Sequence, residues 1–276
     1  MTDIKPYEGP IALIADGTDD AQETLAENLA GGDKGFRLSD LARVVWPGAG
    51  DDRFFVKSKT GERRAEEFVG IVLGQVAPRK FYIASYQAGG DDYPDCSSTD
   101  GEVGLVADSW ADAADAETGR VAHYTPDGTL IEFGGACGSC PMSEWGSAMK
   151  IKPERQSRAQ ACSERRHLLF QPVGARLPVI IDAPPTALQG WRAFGMEMYD
   201  AGLRLSRTVV RLTLAAKSGE VSQLRPEVVG TISSEQTERL RALMPSMRQQ
   251  PQLAAPEFTP EQDAREQELI GDKIPF

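Results

Sequence analysis

The four cysteines are the residues whose type and spacing could do chemistry. Cys137 and Cys140 are separated by two residues, and this gap lets both thiolates of one turn reach a single ion. Cys96 and Cys162 flank the pair at long range and complete a set of four sulfur ligands. Because four thiolates suit structural zinc, the spacing predicts Zn²⁺ bound by all four cysteines.

The segment around the cysteines, from Gly89 to Arg165, favours a fold stabilised by metal. It is acidic, rich in glycine and poor in large apolar side chains, so metal binding would supply its folding free energy. Two disulfides, a redox-active pair at 137 and 140, and four unconnected thiols stay open as alternatives. Since residues 1–5 lack the start of a secretory signal, we expect a cytoplasmic protein, in which disulfides are rare.

Other catalytic patterns are missing from the sequence. His123 and His167 are the only histidines, and we expect His167 to lie at a strand end rather than to bind metal. No phosphate-binding loop, zinc-protease motif or nucleophile elbow occurs. A group of acids could bind a hard cation but lacks the spacing of a calcium loop, so we expect a solvated acidic loop. Those acids are Asp91, Asp92, Asp95 and Asp100. The sequence predicts a binding protein, not an enzyme.

The charge of the chain is divided between acidic appendages and a basic body. The net charge is −11, and residues 1–33, 89–118 and 251–276 together carry −20, so the rest carries +9. Residues 145–192 alone hold eight bases against three acids. A basic body can bind nucleic acid although the whole chain is acidic.

Strand patterns dominate from Phe68 onward. A hairpin is predicted from 69–77 and 80–86, and a second from 121–124 and 129–133 around a Pro-Asp-Gly turn. Further strands are predicted at 167–173, 178–182, 207–217 and 221–232. Helices are predicted from Thr186, as N-cap, with Trp191 on the core side, and over 234–247.

This order of elements is typical of a mainly β protein. It favours an OB-fold, which is a Greek-key barrel, with an interposed helix; an α+β sandwich is the alternative. We predict an acidic arm at 1–36, the barrel at 37–248 with a zinc-binding insertion at about 89–165, and a Gln/Pro-rich spacer with an acidic tip at 249–276. No apolar run is long enough to cross a membrane, so no membrane partner is expected.

Three segments resemble a known family. They are Pro94 to Gly101, Cys137 to Ala148 and Ala161 to Arg166, and their order and spacing are similar to those of phage-type zinc-containing single-stranded DNA-binding proteins. The similarity covers roughly residues 38–215 and implies an oligonucleotide-binding barrel with a four-cysteine zinc site. Relatives tend to have Lys where this chain has Ser163, so one phosphate contact of the family is not expected here.

A second resemblance lies at residues 272–276. This tip is similar to the Asp-Asp-Ile-Pro-Phe terminus of bacterial single-stranded DNA-binding proteins, which recruits replication and repair partners, except that Lys273 replaces an acid. Phe276 and Pro275 could fill an apolar pocket while nearby acids steer association. The predicted partner-binding residues are Asp272, Ile274, Pro275 and Phe276.

The resemblance and the basic body together predict a single-stranded DNA-binding protein of phage or bacterial replication, recombination or repair. Single strands are held by aromatic stacking and by Lys and Arg along the phosphates. The predicted DNA-binding residues are Phe54, Lys57, Arg79, Lys80, Phe81, Tyr82, Tyr86, Lys150, Lys152, Arg158, Arg165 and Arg166. A zinc-ribbon transcription or recombination accessory protein and a metal-dependent nuclease are the alternatives, and self-association is left open.

Overall fold

A computed structural model describes most of the chain between residues 41 and 242. The described ranges are 41–47, 51–59, 61–83, 94–151, 158–175, 177–215 and 222–242. They divide into two compact units, of which one joins the residues up to Gln75 with those from His167, and the other is Val76–Arg166. The insertion predicted at about 89–165 lies within the second unit. The arm predicted at 1–36 and the spacer and tip at 249–276 lie outside the described residues.

The strands are numbered in chain order. They are β1 Arg43–Val45, β2 Phe54–Ser58, β3 Gly61–Ala65, β4 Glu67–Val76, β5 Arg79–Phe81, β6 Cys96–Ser98, β7 Val103–Val106, β8 Arg120–Tyr124, β9 Leu130–Ala136, β10 Ser163–Glu164, β11 Arg166–Pro172, β12 Val179–Ala183, β13 Thr208–Ala215 and β14 Gln223–Thr231. The α-helices are α1 Ala148–Ile151, α2 Pro185–Asp200 and α3 Ser234–Ala242. Short 3-10 helices cover Asp108–Ala113, Cys137–Ser139, Pro141–Ser143 and Leu205–Arg207.

The first unit is built on an eight-stranded sheet in the order β14-β13-β4-β11-β12-β1-β2-β3. β1 pairs in parallel with β12 and antiparallel with β2, and β13 pairs antiparallel with β14. Side chains alternate between the two faces of a strand. Phe54 and Val56 of β2 therefore enter the core, where Phe54 meets Trp46 and Phe68 edge to face.

Helix α2 packs one apolar face into the same core. Trp191 and Phe194 are buried there, which confirms the predicted core position of Trp191. A Cβ on Gly190 would lie 2.8 Å from the Leu224 carbonyl oxygen, so glycine allows close approach to β14. The helix begins one residue before the predicted N-cap, Thr186, because Pro185 occupies the first helical position, where a missing N–H costs nothing.

The second unit is built on a six-stranded sheet in the order β10-β5-β6-β7-β9-β8. The predicted β8–β9 hairpin is confirmed. The core of the second unit includes Phe81, Ile131 and Phe133. The predicted hairpin of 69–77 with 80–86 is wrong, because β4 belongs to the eight-stranded sheet. β5 instead finds its hydrogen-bonding partners later in the chain, in β6 and β10.

The protein is therefore mainly β, as predicted, with two sheets. Neither sheet closes into a barrel within the described ranges. No helix among these residues is long and apolar enough to cross a membrane.

Candidate functional site: a cysteine cluster and two basic-aromatic surfaces

The four cysteines occupy turns and strand ends of the second unit. Cys96 begins β6, Cys137 begins the 3-10 turn after β9, Cys140 follows that turn, and Cys162 precedes β10. All four are buried and none forms a disulfide. The Cys140 N–H donates to the Cys137 carbonyl at 3.3 Å, and the Cys162 N–H donates to the Met142 carbonyl at 2.9 Å. The backbone thus brings the distant Cys162 to the Cys-x-x-Cys turn.

Polar side chains hold the two cysteine-bearing loops together. The Ser147 hydroxyl donates to the Met142 carbonyl at 2.9 Å and accepts from the Ala161 N–H at 2.8 Å. The Arg120 guanidinium donates to the carbonyl oxygen of Ser139 at 2.8 Å. These bonds fix the shape of the turn and of the chain that leads into Cys162.

The buried thiols influence one another electrostatically. Burial raises the pKa of Cys96 and of Cys162 to about 12, and the neighbouring cysteines raise it as well. Burial also raises the pKa of Cys137, while a hydrogen bond from Ser98 and the Arg79 charge oppose that rise. Burial and the repulsion between thiolates therefore both favour the protonated thiols of Cys96, Cys137 and Cys162.

The donor set of four buried thiols fits a thiophilic ion in its chemistry. In the part of the chain that the structure describes, no group of three or more His, Cys, Asp or Glu side chains is arranged to hold a metal. Two of the sulfurs lie close to Gly104, since an added Cβ would be 2.8 Å from Cys96 Sγ and 3.6 Å from Cys137 Sγ. Thiols are among the ligands that Zn²⁺ prefers.

Several predicted DNA-binding residues lie in the interior. Phe54 and Phe81 were predicted to stack on bases, but both are fully buried because strand alternation turns them into the two cores. These two stacking predictions are wrong. Lys80 and Arg165 are also buried, which weakens their assignment as phosphate contacts. Tyr82 is half-buried, and Tyr86 and Lys152 lie outside the described residues.

Arg79 and Arg166 lie close together because both contact the carboxylate of Glu164. The pairing of β5 with β10 places Arg79 opposite Glu164. Glu164 Oε2 accepts from Arg79 at 3.0 Å, and Glu164 Oε1 lies 3.0 Å from Arg166 Nη2. Both guanidinium groups are thus engaged within the protein, which weakens their assignment as phosphate contacts.

The remaining predicted bases are exposed, and one lies on the surface of β2 and β3. Lys57 is exposed on the face opposite Phe54. Phe55 shares that face and lies opposite Arg64 of β3, whose guanidinium carbon is 4.8 Å from the centre of the Phe55 ring. Arg64 and Arg53 also contact Asp51, at 3.3 and 3.5 Å. We call Phe55, Lys57 and Arg64 the hairpin surface.

Lys150 and Arg158 are exposed on the second unit, where they accompany an exposed aromatic ring. The side chain of Trp145 is 64% exposed. The N–H of the next residue, Gly146, donates to the Arg158 carbonyl at 2.9 Å and fixes Trp145 near Arg158. Helix α1, which carries Lys150, follows three residues after Trp145. We call Trp145, Lys150 and Arg158 the loop surface.

Sequence reasoning noted Phe55 beside Phe54 and Lys57 but left it out of the predicted DNA-binding residues, and it missed Trp145. For Phe55 a signal existed: in Phe54-Phe55-Val56-Lys57, alternation places Phe55 on the same face as Lys57. For Trp145 the signal was weaker, since it stands in a segment without a regular period. Only the burial of the flanking Met142 and Ser147 shows which side of that segment faces solvent.

The acidic loop and the histidines have structural partners. Asp95 accepts hydrogen bonds from the Ile83 N–H and the Trp110 indole, both at 2.7 Å, and Asp100 accepts from Ser98 and from backbone N–H groups. Asp91 and Asp92 lie outside the described residues. His167 lies at the second position of β11, near the strand end as predicted, and its Nε2 is 3.3 Å from Asp182 Oδ1.

Comparisons with protein-family models, curated proteins and solved structures found no match for this chain. The functional assignment therefore rests on the sequence resemblance and on these surfaces. The predicted partner-binding residues at 272–276 lie beyond the described part of the chain.

Proposed function

We propose that this protein binds single-stranded DNA without strong sequence preference. The observation that carries the proposal is the loop surface, where the exposed Trp145 precedes Gly146, whose N–H donates to the Arg158 carbonyl, and Lys150 follows on α1. At 64% exposure, Trp145 offers a large aromatic side chain at the surface. Bases stack on such rings while neighbouring cations contact phosphates.

The hairpin surface supports the same proposal from the first unit. Phe55 offers ring surface next to the Arg64 guanidinium, which can itself stack on a base, and Lys57 follows two residues later on the same face. Strands with bases and aromatics on the outward face are typical of oligonucleotide-binding barrels. The proposal includes the view that the eight-stranded sheet is an enlarged version of such a barrel. The sequence resemblance supports this view.

We also propose that Cys96, Cys137, Cys140 and Cys162 bind one structural Zn²⁺. The ion would replace the thiol protons and supply folding free energy to a unit with a small apolar core. Cys140 and Cys162 bracket the segment that carries Trp145. Zinc would therefore act on DNA binding indirectly, by holding the loop surface in shape.

The acidic tip is proposed to recruit replication, recombination or repair proteins, on the strength of its sequence resemblance. Deleting residues 271–276 should leave affinity for DNA intact or raise it, because an acidic segment competes with phosphate for basic surfaces. Binding of oligo-dT by the truncated chain measures this effect. A large loss of DNA affinity would contradict the recruiting role.

Trp145→Ala tests the main proposal most directly, with Tyr199→Ala as its matched control. Tyr199 is an equally exposed aromatic, 78% exposed on α2, outside both surfaces. Loss of one stacked base costs about 1–3 kcal/mol, so oligo-dT affinity should fall roughly 5- to 150-fold in Trp145→Ala. Tyr199→Ala should bind as the wild type does. Unchanged binding by Trp145→Ala, or preference of the wild type for duplex DNA, would refute the proposal.

A further inference from the structure

Arg79 lies on the same face of the six-stranded sheet as Cys96, one strand away from it. β5 runs between β6 and β10, and Arg79 pairs with Ser98 on one side and Glu164 on the other. Cys96 is two residues before Ser98, and Cys162 is two residues before Glu164. Because residues two apart on a strand share a face, Cys96 lies on the face of Arg79. Cys162 immediately precedes β10, the strand on the other side of Arg79.

The guanidinium of Arg79 has one donor that is not used. Its Nη2 donates to Glu164 Oε2 at 3.0 Å. Its Nε is buried from solvent and has no hydrogen-bond partner among the described residues. A buried donor without an acceptor is unfavourable, so such atoms in native proteins usually serve a partner or an ion that binds there.

A metal-bound cysteine cluster supplies the missing acceptor. Zn²⁺ with four thiolates carries a net charge of about −2, which a buried site must offset with cations or N–H donors. The charge of Arg79 already opposes the rise in pKa of both Cys137 and Cys162, which places the guanidinium within electrostatic reach of both sulfurs. Arg79 is therefore near the thiols, on the face of Cys96, and has a free donor.

We propose that Arg79 is a positioning residue of the cysteine cluster: its Nε–H donates to a metal-bound thiolate, and its charge offsets that of the tetrathiolate centre. Glu164 holds the guanidinium in place, and Arg166 holds Glu164 from its other oxygen. The inference rests on the proposed zinc site. It also gives Arg79 a role other than the phosphate contact that the sequence predicts.

Zinc affinity of Arg79→Gln in the full chain, measured by competition with a chromogenic chelator, tests the inference. Arg166→Gln is the matched control, because it removes the other cation on Glu164 without removing the Nε donor. Replacing a group that supports metal ligands typically lowers metal affinity about 10- to 100-fold; we expect that loss in Arg79→Gln and less than about threefold in Arg166→Gln. Glu164 keeps one Arg partner in either variant, which favours folding of both.

Arg79→Lys provides a second measurement if Arg79→Gln does not fold. It keeps the charge but moves the donor, so the thiolate-to-cobalt charge-transfer band of the Co²⁺-loaded protein should shift. If the wild type binds zinc, three results would overturn this inference alone. They are an unchanged zinc affinity in Arg79→Gln, equal losses of zinc affinity in Arg79→Gln and Arg166→Gln, and an unshifted charge-transfer band in Arg79→Lys. A wild type that binds no zinc would overturn the zinc site together with it, whereas oligo-dT binding reports on the DNA proposal separately.

Discussion

Phe55 and Arg64 lie opposite each other on neighbouring antiparallel strands, with the guanidinium carbon 4.8 Å from the ring centre. This contact places an arginine over an aromatic ring on the outward face of β2. Its neighbour Phe54 points the other way, into the core. Two adjacent phenylalanines are thus given different roles by the alternation of one strand.

Phe55→Ala should therefore affect DNA binding, whereas Phe54→Ala should affect the stability of the fold. Phe55→Ala should weaken oligo-dT binding by about 1–3 kcal/mol, because a stacking ring is lost, with a small change in Tm. Phe54→Ala should lower the free energy of unfolding by about 3–5 kcal/mol, because it leaves a cavity in the core. Thermal unfolding and fluorescence anisotropy of both variants check this. If Phe54→Ala, measured where it is still folded, lost as much affinity for oligo-dT as Phe55→Ala, DNA binding by the hairpin surface would be contradicted.

Replacement of the three exposed bases Lys57, Lys150 and Arg158 by Gln should flatten the salt dependence of DNA binding. Each phosphate contact to a single strand contributes about 0.7 to the slope of log K against log salt, so the slope should fall by about 2. The control is Arg225→Gln on β14, an exposed base outside both surfaces. A slope that falls equally in the control would show that only net charge matters.

The sequence predicted most elements because they carry strong local signals. The strand at 167–173 and the helix from 186 have clear apolar periods, and the structure has β11 and α2 there. The pairing partners of β5 were not predictable, because they lie in β6 and β10 and involve long-range hydrogen bonds without a turn signal. Similarly, the charge of Arg79 suggests a phosphate contact, whereas the structure places Glu164 opposite Arg79 on the neighbouring strand.

Removing metal should unfold the second unit and spare the first. The second unit has the smaller apolar core, whereas the core of the first unit includes five aromatic rings from β2, β4, β11 and α2. With a chelator present, hydrogen exchange should accelerate across 94–151 and 158–166 while β13 and β14 stay protected. Uniform acceleration, or none, would contradict a structural metal in the second unit.

Gly104→Ala should impair metal binding through size alone. Gly104 is on β7, and an added Cβ would lie 2.8 Å from Cys96 Sγ, so the thiol or the strand must shift. Gly138→Ala is the matched control, because it adds the same methyl group inside the Cys-x-x-Cys turn but meets nothing within 4 Å.

We expect zinc affinity about tenfold or more below wild type in Gly104→Ala and close to wild type in Gly138→Ala. Chelator competition measures both affinities, and Co²⁺ spectra report whether the sulfur ligands remain tetrahedral. If Gly138→Ala were the more damaging change, flexibility of the turn would matter more than the space beside Cys96. If neither variant changed the affinity, the ion would not lie between β7 and the cysteines, and the site assigned to these four thiols would be wrong.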